Sequence, residues 1–317
     1  MFIAENVSDL IGRTPMLKLD RLFPGSNGKV LAKLECTNPT SIKDRAVLNM
    51  ITAAMESGQI HRDTEVVEAS SGNTAIAIAS LGATLGFKVR IYMSALCSIE
   101  RQQILCAYGA QVVITPAAEH TKGARARAIA YCQAHPDTSF FLNQHSNPEN
   151  GRGHELTTGP EIWEQTHGEI AALVVGLGTS GTFDGTSRYL KSQNPGVKII
   201  GFEPAASPVY SGGQQGKHKL IGIGPGFVTD NFKRSQGNLD ELILVDDETA
   251  YEWTRRIACK EGILVGITSG AAAYVTSQLI ERPEFKDKII VCFFYDTGER
   301  YMSTPDLFPV DNVLIVD

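Results

Sequence analysis

The sequence predicts an α/β protein built on parallel sheets and divided into two units, and three observations point there. Short apolar, β-branched runs alternate with helical patterns along nearly the whole chain, as in βαβ units with right-handed crossovers. The 317 residues suit one large or two modest domains. An Asn-, Pro- and Gly-rich segment, Ser146–Gly153, reads as the linker between them.

The elements follow in order. Strands are predicted at Val30–Glu35, Glu65–Glu68, Lys88–Met93, Gln111–Ile114, Ser139–Leu142, Ala172–Val175, Lys198–Glu203, Leu242–Val245 and Lys288–Phe293. Helices are predicted at Arg45–Met55, Asn73–Leu85, Ile99–Tyr108, Gly123–Cys132, Thr182–Lys191, Glu248–Lys260 and Gly270–Ile280. Ser207–Asn238 carries seven glycines and two prolines with little periodicity, so it is predicted as a long loop of functional character.

Composition narrows the function classes. A hydrophobic fraction of 43% and a charged fraction of 20% describe an ordinary soluble globular chain. The net charge of −6, without a basic cluster, argues against a nucleic-acid partner. No apolar run approaches the roughly 18–20 residues needed to span a bilayer, and the first residues lack the pattern of a signal peptide. A cytoplasmic location is therefore expected. The six cysteines show no CxxC spacing and read as buried reduced thiols. The seven histidines show no HExxH spacing, so no metal site is expected.

Four stretches carry chemistry. Asn38-Pro39-Thr40-Ser41-Ile42-Lys43-Asp44-Arg45 enters a helix and places Lys43 in its first turn. The helix dipole there disfavours a cation, which brings the neutral, nucleophilic amine within reach. Glu68-Ala69-Ser70-Ser71-Gly72-Asn73-Thr74 links a strand to an Ala/Ile-rich helix, and its hydroxyls and free N–H groups suit a carboxylate. Gly176-Leu177-Gly178-Thr179-Ser180-Gly181-Thr182 lets backbone N–H groups close around a phosphate. With Glu203 ending the next strand, the same glycines fit an NAD-binding dehydrogenase fingerprint, and the motif alone leaves that reading open. Gly266-Ile267-Thr268-Ser269-Gly270 opens another helix with a hydroxyl able to meet a pyridine nitrogen. An amine, a phosphate cradle and a carboxylate site, each after a strand, fit one ligand: pyridoxal 5′-phosphate, a phosphorylated aldehyde that forms a Schiff base with a lysine. A dehydrogenase has no use for Lys43.

Together with Thr297-Gly298-Glu299-Arg300-Tyr301, these motifs resemble the cysteine synthase (O-acetylserine sulfhydrylase)/cystathionine β-synthase family of fold-type II pyridoxal-phosphate enzymes. The likeness runs from about Ile11 to Tyr301. It implies two parallel-sheet α/β domains of the tryptophan synthase β-like architecture, with the active site between them. Residues 41–147 would form a smaller, mobile substrate-carboxylate domain. Residues 1–40 plus 148–317 would form a larger, discontinuous cofactor-phosphate domain. The resemblance makes Lys43 the Schiff-base lysine and general base. It assigns Asn73 to the cofactor's ring hydroxyl, Gly178, Thr179, Ser180, Gly181 and Thr182 to its phosphate, and Thr268 to its pyridine nitrogen. Ser70, Ser71, Thr74 and Gln144 would bind the substrate carboxylate, with Gly222 lining the substrate side.

The reaction implied is β-replacement on an O-activated L-serine through an α-aminoacrylate, most simply O-acetyl-L-serine plus sulfide giving L-cysteine and acetate. O-phosphoserine as donor, or the nucleophiles of cystathionine β-synthase and diaminopropionate-type synthases, stand as variants. A homodimer is implied. The chain departs from the family pattern at Ser70, Ser180, Tyr295 and around Gln144, where Asn143 and His145 flank it. These changes bear on the substrate pair and leave the cofactor untouched.

Overall fold

The computed structural model describes residues 3–310. One sheet has six strands in the order β1-β2-β10-β7-β8-β9. These are β1 (Met16–Lys18), β2 (Lys29–Leu34), β7 (Ile170–Gly176), β8 (Lys198–Pro204), β9 (Glu241–Val245) and β10 (Ile289–Phe294). All pair in parallel except β1, which runs antiparallel to β2. The second sheet is wholly parallel, in the order β5-β4-β3-β6. Its strands are β3 (Glu65–Ala69), β4 (Lys88–Ser94), β5 (Gln111–Thr115) and β6 (Ser139–Phe141). Helices α1 (Lys43–Glu56), α2 (Asn73–Leu85), α3 (Ile99–Ala107) and α4 (His120–Ala134) accompany the four-stranded sheet. Helices α5 (Pro148–Leu156), α6 (Thr158–Gln165), α7 (Gly181–Gln193), α8 (Asp230–Ser235), α9 (Asp247–Glu261) and α10 (Ile267–Ile280) follow it.

Helices on both faces explain why the strands read as unbroken apolar runs. Every residue of β10 is buried, as are six of the seven in β7. Helix α1 buries Val47, Met50, Ile51 and Ala54, one helical face, in the core of the four-stranded sheet. Strand β2, only a few residues earlier, pairs with β10 in the other sheet. The chain thus changes sheets at residues 35–42, directly before Lys43.

Three expectations need correction. Strand β1 went unpredicted because three residues are too few to show a period. The expected linker Ser146–Gly153 largely becomes helix α5, with Asn147 capping the N–H of Glu149 and Pro148 at the first position. Its glycines serve close packing. A Cβ on Gly151 would lie 1.9 Å from Asp184 Oδ2 on α7, and one on Gly153 would lie 2.9 Å from Asn49 Cβ on α1. Composition suggesting flexibility therefore marks a tight crossing. The cysteines are all free thiols, but only Cys292 is buried, and Cys106 and Cys259 are exposed.

The predicted loop Ser207–Asn238 is irregular until α8, whose Thr229 cap accepts from Phe232 N–H. The tail from Phe308 to Asp317 lies outside the described residues beyond 310. Among the described residues no helix is long and apolar enough to cross a membrane.

Candidate active site

Four connections converge at the carboxyl ends of β2, β3, β7 and β10, where ligands bind in open α/β sheets. They enclose a cleft lined by Lys43, Asn73, Gly178, Thr179, Ser180, Thr182, Gly222 and Thr268, all singled out by sequence. Tyr295 and Asp296 line it too. A wider cavity of about 770 Å³ opens at the opposite, amino-terminal ends of β7, β8, β9 and β10. Four of its nine charged lining residues pair with one another, as Lys198–Asp240 and Arg282–Glu241.

Lys43 is the first residue of α1 and is held by a rigid frame. The Asp44 carboxylate accepts from Thr40 N–H at 2.7 Å, Ser41 N–H at 3.2 Å and the Thr40 hydroxyl, fixing the loop before the lysine. Ile42 N–H donates to Tyr295 C=O at 3.0 Å, tying that loop to the end of β10. Arg45 then anchors the helix, its guanidinium donating to Glu35 and Glu161 at 2.7 Å each. Lys33, fully buried in β2, reaches Glu161 at 2.7 Å and Thr14 C=O at 2.6 Å. Burial opposes charge on Glu161, yet Arg45 and Lys33 hold its carboxyl down at about 2. Burial lowers the Lys43 pKa, against the smaller opposing pull of Asp296 and Glu35. The amine is eased toward the neutral state that nucleophilic and base chemistry require.

The loop after β7 forms a glycine cradle. Ser180 adopts φ +63° and enters α7 from the left-handed region. Its hydroxyl donates to Tyr210 Oη at 3.1 Å, and Tyr210 donates to Gly178 C=O at 2.8 Å, which holds the strained turn. A Cβ on Gly178 would sit 2.7 Å from Gly222 C=O, and one on Gly181 would sit 1.8 Å from Asn150 Oδ1. Gly181 therefore faces Asn150 and does not line the cleft. The cradle fits a phosphate: exposed N–H groups at a helix start, with side chains excluded. His154, buried with its pKa well below the usual value by desolvation, sits 3.2 Å from the Thr182 hydroxyl as a neutral imidazole. Glu203 accepts from Tyr210 N–H and Ser211 N–H at 2.8 Å each, so it is unavailable to a ribose.

The four predicted carboxylate residues gather at the ends of β3 and β6. Thr74 donates to Gln144 Oε1 at 2.6 Å. The Ser70 hydroxyl accepts from Gly72 N–H, and Ser71 C=O accepts from Arg101. Two asparagines unnoticed in the sequence bridge this group to the cradle. Asn150 donates to Gln144 C=O and Thr179 Oγ1, and Asn231 to Gln144 C=O and Thr179 C=O. Nothing in their local sequence separates them from other polar residues, because the bridge exists only in three dimensions.

Beneath Gln144, Glu68 is buried and accepts from Gln144 N–H at 3.0 Å and Ala69 N–H at 2.8 Å. Burial pushes its carboxyl up to about 7. The folded chain thus holds this proton more tightly than the unfolded one, so stability falls as pH rises from about 4.5 to about 7. Glu68→Gln removes the charge while setting its Nε2 against one of the two N–H donors, so its stability relative to wild type should rise by about 3 kcal/mol between pH 4.5 and pH 8 on top of that fixed cost. Urea midpoints at pH 4.5 and 8 measure it.

Thr268 lines the cleft at the start of α10 and donates to Ile221 C=O at 2.9 Å. Asn73, at the start of α2, meets Asp296 and Arg300 from the segment after β10. Tyr295 accepts from Gly176 N–H at 2.8 Å. An acidic residue two positions after a fully apolar strand was the available signal for Asp296.

A lysine amine and a phosphate cradle facing one cleft at the carboxyl ends of parallel sheets define an enzyme for a phosphorylated aldehyde. The chain belongs to the pyridoxal-phosphate dependent enzyme family, whose profile matches residues 7–296. It is similar to the cysteine synthase of Staphylococcus aureus (strain Mu50 / ATCC 700699), 42% identical over 303 residues covering 95% of this chain and 96% of that protein. Among solved structures it resembles O-acetyl serine sulfhydrylase isoform 3 from Entamoeba histolytica, with TM-score 0.93, 38% identity, and 99% of this chain and 94% of that one covered. It also resembles the O-acetylserine dependent cystathionine beta-synthase from Helicobacter pylori, with TM-score 0.89, 34% identity, and 96% and 98% covered.

Proposed function

We propose that this chain performs β-replacement on an O-activated L-serine, making L-cysteine and acetate from O-acetyl-L-serine and sulfide. The observation that carries the reading is Lys43, its amine eased toward neutrality, facing the cleft that the glycine cradle also lines. Bound pyridoxal 5′-phosphate supplies the electron sink that lets a Cα proton and then the β-substituent leave.

The chain's own groups do the rest. Lys43 Nζ anchors the cofactor, takes the substrate Cα proton when freed, and returns it after the nucleophile adds. N–H groups of residues 178–182 bind the phosphate at the positive end of α7. Asn73 faces the ring hydroxyl. Thr268 would meet the ring nitrogen by turning its hydroxyl away from Ile221 C=O, a neutral donor that would leave the nitrogen unprotonated. Ser70, Ser71, Thr74 and Gln144 bind the substrate carboxylate, and Gly222 leaves room on the opposite wall.

Residues 41–147 form the smaller mobile unit, and residues 1–40 with 148–317 the larger. Closing the first over the second when the carboxylate binds excludes water, which otherwise diverts the reaction to pyruvate and ammonia. We place the enzyme in the cytoplasm as a homodimer, without nucleic-acid or membrane partners.

The choice of donor follows the relatives whose names include O-acetylserine. Purified enzyme supplied with O-acetylserine or O-phosphoserine, each with sulfide or homocysteine, tests it. Cysteine and acetate should form with the highest kcat/KM. Faster release of phosphate, or cystathionine as the main product, overturns the substrate assignment while keeping the chemistry.

A further inference from the structure

Asn73 is held from two sides by groups that cannot exchange roles. Its Nδ2 donates to Asp296 Oδ2 at 2.6 Å, and its Oδ1 accepts from Arg300 at 3.0 Å. A guanidinium only donates, so Oδ1 must face Arg300 and Nδ2 must face Asp296. Tyr301 also donates to Asp296 Oδ2, at 2.5 Å. That leaves Asp296 Oδ1, buried against Gly266, as the oxygen without a partner and the natural seat of any proton the carboxyl carries. Oδ2 therefore accepts from Asn73 in either protonation state. Asn73 and Asp296 both line the cleft, and the amide has one N–H left to offer there.

We infer that Asp296 and Arg300 are positioning residues that lock the Asn73 amide so that it presents the bound cofactor with a donor alone, which selects the ionised form of the cofactor's ring hydroxyl. The inference rests on the cofactor assignment above and adds that these two residues set the cofactor's ionisation. A neutral ring hydroxyl can accept the same N–H, but an ionised oxygen takes a charge-assisted bond about twice as strong, so a locked lone donor favours the ionised form. The same contacts join α2 of the four-stranded sheet to the segment after β10 in the six-stranded one. Orientation of the amide thus depends on both units.

The test is the absorbance of the cofactor-loaded, substrate-free protein at one neutral pH, read as the ratio of the bands of ionised and neutral ring hydroxyl. Wild type should show the ionised form almost alone. Arg300→Met, at a half-buried position, and Asp296→Leu, which removes the acceptor, should each lower the ratio by about tenfold, because the amide can then turn. Arg300→Lys keeps a donor and should restore the wild-type ratio. Tyr301→Phe removes a contact to Asp296 that does not touch Asn73, and should leave the ratio unchanged. An unchanged ratio in folded Arg300→Met overturns the inference, as does an equal shift in Tyr301→Phe. A wild-type protein that takes up no chromophore overturns the cofactor assignment instead, so the two failures are distinguishable.

Discussion

Lys43→Ala is expected to lower turnover of O-acetylserine and sulfide by three to four powers of ten, the scale for loss of a positioned base that also anchors the cofactor. The fold should survive. The loop before the lysine is held by Asp44 and helix α1 by Arg45, and neither uses the lysine side chain. The sign of the stability change separates the catalytic role from a structural one. Burial lowers the folded-state pKa of Lys43, so the folded chain binds its proton less tightly than the unfolded chain. Keeping the amine costs stability wherever the unfolded lysine is charged, and that cost fades as pH rises through the ordinary lysine range near 10.5. The alanine variant should therefore unfold at higher urea than wild type at pH 7, both free of cofactor, and the gap should close toward pH 11. A variant that retains a tenth of the activity would refute the catalytic role, and one that is less stable at pH 7 would refute the cost assigned to burying the amine.

Arg45→Met should cost about 3–5 kcal/mol, the penalty for removing one member of a buried ion network and stranding its carboxylates. Glu35 is fully buried and Glu161 largely so, and Arg45 is the cation common to both. Lys33 still reaches Glu161 but makes no hydrogen bond to Glu35, so the loss is not made good. A fall in the urea midpoint at constant m-value reads it. Because Arg45 lies two residues after Lys43, cofactor affinity should fall as well. Arg45→Lys should recover only part of the loss, since one ammonium cannot reproduce a fork that bonds Glu35 and Glu161 together.

Much of this was legible in the chain because the chemistry is local. Glycine beside hydroxyls at a helix start is the pattern of an anion-binding turn, and residues 176–182 carry it. Parallel strands buried on both faces must be apolar throughout, so all nine predicted strands appear. Other features left no local trace. Helix α5 looked like a linker because Gly151 and Gly153 answer to Asp184 and Asn49, residues distant in sequence. Strand β1 exists because β2 offers it an edge.

The sequence by itself determined the α/β class and the cofactor's chemical type, and it singled out Lys43, Asn73, the 178–182 loop and Thr268 as the candidates to meet that cofactor, since each signal depends on residues within a few positions of one another. Tertiary structure alone decided the rest. It turned Asn73 toward the cleft through Asp296 and Arg300, linked Gln144 to Thr179 through Asn150 and Asn231, and buried Glu68 under the carboxylate group. Apart from Asn150 to Gln144, six residues apart, those contacts span tens to hundreds of residues, and hydrogen-bond direction and desolvation are properties of groups brought together, which no short stretch of chain can encode.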